Sequence, residues 1–307
     1  MNAILEVLKA TIPAGTPLLL GALGEIYVER SGILNLGVEG IMIMGAVSAF
    51  GVTAITGNVW LGVILSALIG GGMSLIHAFN SITLKANQTL SGLALTMLGL
   101  GLSGLIGKRY IGMPLPNKIY NLPILGLKDI PLLGPVLFDQ DPIVYISYIL
   151  AFVFWFFLFN TRFGLELRSV GESPDVADSA GIDVFRIQYL AVFIGGIMAG
   201  LGGAYLSVFY APAWIEGMTA GMGWIVLAIT IFSLWRPERA VVGSYLFGGI
   251  RVLQYKLQPF GISPNILNML PFIFTILVLM LASKEISRKK ISAPSSLGIP
   301  YFREKIT

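Results

Sequence analysis

Nine apolar stretches of 17 to 24 residues dominate this chain and leave few architectures open to it. They fall at about 4–24, 33–56, 59–80, 88–107, 142–160, 187–209, 219–235, 240–257 and 265–282. A helix needs about 20 apolar residues to cross a hydrocarbon core of ~30 Å, with about 17 as the lower limit. Lipid offers no hydrogen bonds, so a run of this length satisfies its own backbone only as a helix. Charged residues make up 12% of the 307 positions. A soluble domain carries about twice that share. The expected fold is therefore all-α. It is a polytopic transmembrane helical bundle of about nine spans over residues 1–282, followed by a basic cytoplasmic tail, 283–307. The seventh run, TAGMGWIVLAITIFSLW, barely reaches spanning length. The second and eighth contain polar residues and glycines, so all three are candidates for broken helices. The tail reads as a solvated end.

Orientation follows from Lys and Arg. Arg30, Lys85, Arg162, Arg168, Arg186, Arg236, Arg239 and six residues of the tail fall on one side, against Lys108, Arg109, Lys118, Lys128 and Lys256 on the other. Basic residues favour the cytoplasm. The loop 161–186 and the C-terminus are then inside, and the N-terminus is outside. No basic stretch precedes a short apolar run with a small-residue cleavage site, so no cleavable signal peptide is expected. There is no cysteine, which excludes a disulfide framework and thiol chemistry.

Two phosphate-binding look-alikes fail. Gly99, Gly101 and Gly104 match G-x-G-x-x-G but sit inside an apolar run, where small residues serve close helix packing. Gly107-Lys108 resembles the end of a P-loop, but Leu102 and Arg109 break the motif. The chain therefore carries no nucleotide site or catalytic residue of its own. Gly196 and Gly200 form a G-x-x-x-G helix contact. The single His77 makes no metal site, which needs three or four ligands. Trp214 and Trp235 read as interface anchors. The irregular segment 108–141 reads as a linker or as an outer docking surface. Nothing suggests a nucleic-acid partner.

The loop TRFGLELRSVGESPDVADSAGIDVFR is the sharpest local signal. Ser173 is a good N-cap, Pro174 suits the first helical position, and Gly181 suits the stop. A two-turn helix over 174–180, outside the bilayer, is expected. Its sequence resembles the cytoplasmic coupling segment of permease subunits in bacterial ABC importers that serve branched-chain amino acids, simple sugars and nucleosides. The stretch GEIYVERSGILNLGVEG resembles the nucleoside and simple-sugar branch, through Glu29-Arg30-Ser31-Gly32, Asn35 and Glu39-Gly40. The segment from Asn87 to Ala94 adds a third match. The resemblance implies a multi-pass permease in a bacterial cytoplasmic membrane. It implies three partners: an ABC ATPase, a second permease expected to be a paralogue, and an extracytoplasmic binding protein. ATP and Mg would be bound by the ATPase, with no cofactor in this chain. Arg168, Gly171, Glu172, Pro174, Ala177, Ala180 and Gly181 would form the ATPase-coupling segment.

The polar residues divide in two. Glu25, Glu29, Arg30 and Ser31 read as a turn between the first two spans. Asn35 and Glu39, spaced i,i+4 on one helix face, and Asn87, Gln88 and Ser91 are candidates for the translocation path, with capping or interhelical ties as the plainer reading. A secondary transporter driven by an ion gradient is the alternative from another class, with Glu39 as its best acidic candidate. Within the family, a ribose, galactose or branched-chain amino acid permease is the other option.

Overall fold

The computed structural model describes residues 2–117, 119–131, 133–289 and 293–303. The α-helices in chain order are α1 (Asn2–Arg30), α2 (Val38–Thr56), α3 (Val59–Ala78), α4 (Gln88–Gly107), α5 (Leu133–Leu137), α6 (Pro142–Asn160), α7 (Arg162–Glu172), α8 (Pro174–Ser179), α9 (Val184–Tyr205), α10 (Met222–Phe232), α11 (Pro237–Leu257) and α12 (Pro264–Lys289). A wide π turn extends α3 over Phe79–Thr83 and α9 over Leu206–Tyr210. No strand occurs among the described residues.

Each of the nine apolar runs holds one helix. Among the described residues, six helices are long and apolar enough to cross a membrane: Leu5–Arg30, Val38–Thr56, Val59–Thr83, Gln88–Tyr110, Pro142–Asn160 and Val184–Tyr210. The protein is thus a multi-pass membrane bundle. With 11 residues, α10 is too short to span, as the marginal length of its run foreshadows. Helices α1 and α2 are buried almost all round. Leu18, Leu19, Leu23 and Ile26 of α1 and Ile41, Met42 and Ile43 of α2 are fully enclosed. α1 packs between α9, α10 and α11, and α2 between α3, α4 and α9. The outer helices α4 and α6 instead expose Leu90, Met97, Leu105, Phe152 and Phe156, the apolar faces of helices that meet lipid.

Lipid gives helices no hydrophobic drive to associate, so close backbone approach holds the bundle. Gly196 and Gly200 do form a helix contact, against Gly70, Ser74 and Ser66 of α3. Gly203 lies against the Met42 carbonyl, and Gly99 against the backbone of Gly40. Gly101, by contrast, faces open space.

Several expectations are corrected. α1 does not end near residue 24; it continues to Arg30 because nothing in GEIYVER breaks a helix, and Gly32, at φ +88°, ends it. Glu25 and Glu29 are therefore buried helix residues, each 2% exposed, rather than a wet turn. Trp214 and Trp235 are buried, not interfacial. Trp235 Nε1 donates to Glu29, and the indole of Trp214 covers Gly107. The tail is not a free solvated end: residues 293–303 pack on the end of the bundle that carries α8. Residues 290–292 and 304–307 of that tail lie outside the described residues. Finally, 162–172, expected as the non-helical first part of the inner loop, forms a helix. Thr161 caps it, and Gly164, Leu167, Val170 and Gly171 form its buried stripe.

Candidate functional site

The first site is a break in the bundle. Residues 33–35 have no regular structure, and α2 starts only at Val38. Gly40 sits against Thr96 and Gly99, about halfway along α4, so α2 begins at mid-depth. Non-helical backbone at that depth is tolerated only where protein satisfies it. Here the partners come from α3 and α4. Gln88 Oε1 accepts from the Leu34 N–H at 2.7 Å, and Thr96 Oγ1 donates to the Leu36 carbonyl at 2.9 Å. His77 Nε2 lies 3.1 Å from the Leu34 carbonyl, which can only accept. Nε2 therefore carries the proton, and Nδ1 accepts from Ser91 Oγ at 3.0 Å. Asn35 Oδ1 accepts from the Gly37 N–H at 2.9 Å, a local turn.

Glu39 closes the break. It stands in the first turn of α2 and is 5% exposed. Its Oε1 accepts from Thr219 Oγ1 at 2.6 Å and from the Gly221 N–H at 2.9 Å, and its Oε2 accepts from the Gly223 N–H at 2.6 Å. Gly221 and Gly223 flank the N-terminus of α10, itself preceded by a non-helical stretch from 211. Two helix N-termini thus converge on one carboxylate. Both macrodipoles favour negative charge there. Discontinuous helices that meet at mid-depth are where transporters place their binding and gating groups.

The candidate path residues are therefore only partly together. Asn35, Gln88 and Ser91 surround the 33–37 link. Glu39 lies beyond it in α2, bonded to the start of α10, and because Asn35 precedes α2 the two do not share a helix face. Asn87 is an exposed N-cap whose Oδ1 accepts from the Leu90 N–H. Sequence reasoning missed Thr219, Gly221, Gly223 and the part played by His77. The available signal was a Thr-x-Gly-x-Gly opening on an apolar run too short to span.

The second site is the α7–α8 segment at one end of the bundle. α8 covers Pro174–Ser179, with Pro174 first and Gly181 left-handed at φ +83° as the stop; Ser173 stands at the N-cap in extended backbone, but its side chain makes no capping hydrogen bond there. Ala177 points inward at 2% exposure, while Asp175, Val176, Ser179, Ala180 and Gly181 face out. Gly171 is buried against the Arg30 carbonyl, where no side chain fits. Arg168 donates to the Gly164 carbonyl and lies over the Phe159 ring, and Glu172 accepts from Ser295. Of the seven coupling candidates, Glu172, Ala180 and Gly181 are thus open to a partner, with Pro174 half-buried. Gly171 and Ala177 anchor the segment to the bundle, and Arg168 is tied within it.

Comparison with known proteins follows this geometry. Residues 8–280 match the family described as branched-chain amino acid transport system / permease component. The putative glucose ABC transporter permease protein TsgC13 of Haloferax volcanii is 40% identical over 99% of both chains. The guanosine ABC transporter permease protein NupQ of Bacillus subtilis is 37% identical over 98% of this chain and 99% of its own. The nucleoside ABC transporter permease protein NupC of Lactococcus lactis is 32% identical over 99% of both. No solved structure matches. A multi-pass bundle with broken helices at its centre and an exposed two-turn helix at one end thus has full-length permease relatives, and the chain belongs to the permease component family of branched-chain amino acid-type transport systems.

Proposed function

We propose that this chain is the transmembrane permease subunit of an ATP-driven ABC importer that moves a nucleoside or a related simple sugar into the cell. The observation that carries this reading is α8. It is a short helix outside the spanning helices, started by Pro174 and stopped at Gly181, seated on the bundle through Ala177 and exposing Val176 at 67%. A short helix held at its base and open at its tip suits the groove of another subunit. ATP and Mg belong to that ATPase partner. The names of the full-length relatives support the solute class.

On this reading the α8 end faces the cytoplasm of a bacterial-type cell membrane, and the opposite end meets the solute-binding protein. There the 111–133 stretch exposes Tyr120 at 79% and Leu125 at 84%, an apolar surface for a protein contact. A second permease, a paralogue, completes the path, in which the α2–α10 junction at Glu39 is the moving part. The ion-coupled alternative finds less support, since three hydrogen bonds, two of them from backbone N–H groups, already tie the Glu39 carboxylate to α10 and the turn before it.

A competition assay tests the solute class. In proteoliposomes holding the assembled importer, guanosine or another nucleoside, or ribose, galactose or glucose, is expected to compete for ATP-driven uptake, and leucine is not. Competition by leucine alone would overturn the proposal.

A further inference from the structure

A two-turn helix cannot hold itself in place, because helix nucleation is costly and short helices depend on packing. α8 is six residues long and buries only Ala177. What fixes its outer half is the far end of the chain. Ser296 donates from its backbone N–H and from Oγ to the Gly171 carbonyl, at 3.0 and 2.7 Å. Gly298 N–H donates to the Gly32 carbonyl at 3.1 Å. Ser295 Oγ donates to Glu172 at 3.0 Å. Tyr301, 9% exposed, donates to Asp178 Oδ2 at 3.1 Å and packs its ring on Phe185 at 5.6 Å between centroids. Arg303 grips the same carboxylate through both nitrogens of its fork, with Nε to Oδ2 at 2.9 Å. The guanidinium holds the Asp178 carboxyl below the usual carboxylate range.

These bonds tie together three parts that already pack side by side. Asp178 is on α8, Gly171 lies in the last turn of α7, and Gly32 opens the link that leads through Leu34 and Leu36 to Glu39. We propose that residues 293–303 form a strap that positions α8 for the partner ATPase, with Arg303 and Tyr301 as its positioning residues on Asp178. The inference rests on the reading of α8 as the ATPase-docking helix. A displacement of α8 then travels through the strap to the 31–37 link and the α2–α10 junction. Without the strap, α8 pivots about Ala177 and ATP cycles run without moving the spans. The groove between strap and helix, about 380 Å³ and lined by Glu172, Asp175, Ile299 and Phe302 among others, is the space such a pivot would use.

The test is the ATP consumed per solute taken up by the assembled importer in proteoliposomes. Arg303→Ala is expected to raise that ratio about two- to five-fold, the scale of one partly exposed ion pair. A chain ending at residue 292 is expected to raise it roughly tenfold or more, since several charge-assisted and backbone bonds go together. Asp178→Arg and Arg303→Asp should each raise it, and the two combined should bring it back toward the wild-type value, a rescue that a merely structural loss would not show. If the truncated chain fails to assemble, the charge-swap set decides. An unchanged ratio in the single swaps, or no rescue in the double, overturns the strap. Val176→Arg separates the two ideas. If it abolishes uptake while the strap variants leave the ratio unchanged, only the strap is lost. If it leaves uptake intact, the α8 reading falls and the strap with it.

Discussion

Replacing Glu39 with leucine is expected to unfold the junction of α2 and α10 and to abolish uptake. Leucine fills the space but accepts no hydrogen bond. The Thr219 hydroxyl and the Gly221 and Gly223 N–H groups would then be stranded in a site that is 95% enclosed, given the 5% exposure of Glu39. Each orphaned buried donor costs about 1–3 kcal/mol. Hydrogen bonds between membrane helices average less, near 0.6 kcal/mol in measured cycles, because alternative partners are found. With two of the three donors fixed in backbone, escape is limited, and a loss of about 3–6 kcal/mol is expected. Glu39→Gln keeps one acceptor oxygen and should lose about half as much. Thermal unfolding of the detergent-solubilised chain, run beside uptake, reads both. An unchanged melting temperature for Glu39→Leu would show that the junction does not depend on the carboxylate.

The second large effect belongs to the helix crossings. A Cβ at Gly203 would collide with the Met42 carbonyl oxygen and stand 2.8 Å from the Ala46 N atom. Both are backbone atoms of α2, so no rotamer change relieves the clash. Overpacking costs about 1–3 kcal/mol even where side chains can adjust. Gly203→Val is expected to exceed about 3 kcal/mol and to prevent stable assembly. Gly101→Val is the control, since nothing lies within 4 Å of that position. It should leave the stability of the isolated chain within about 1 kcal/mol, the helix-propensity scale. Equal loss in both variants would mean that valine harms these helices anywhere, and that close α2–α9 contact is not what matters.

How much of this was legible in the sequence depends on the range of the interaction. Apolar length alone located the nine helical runs, because lipid leaves a run no alternative. The α8 helix was readable to within a residue, because Pro174 and Gly181 are local signals, although the Ser173 side chain does not make the capping bond expected of it. The fate of Glu25 and Glu29 was not, because a helix boundary near 24 was inferred from polarity, and burial by α9 to α11 lets α1 carry polar residues further. Glu39 stood out as an anomaly, but its donors are about 180 positions away, and no spacing rule connects them. The tail was misread for the same reason. The polarity of SAPSSLGIPYFR suggests solvent, whereas Ser296, Tyr301 and Arg303 have their partners more than 120 positions upstream.

The central claim is that α8 couples these spans to an ATPase, and one variant tests it most directly. Val176 is 67% exposed on α8 and supports nothing within the chain that its replacement would break. In the assembled importer, Val176→Arg should leave the permease folded and membrane-inserted while ATP-driven uptake falls roughly tenfold or more, the scale of a lost interface anchor. Wild-type uptake by the Val176→Arg importer, with ATP hydrolysis still tied to solute, would contradict the account.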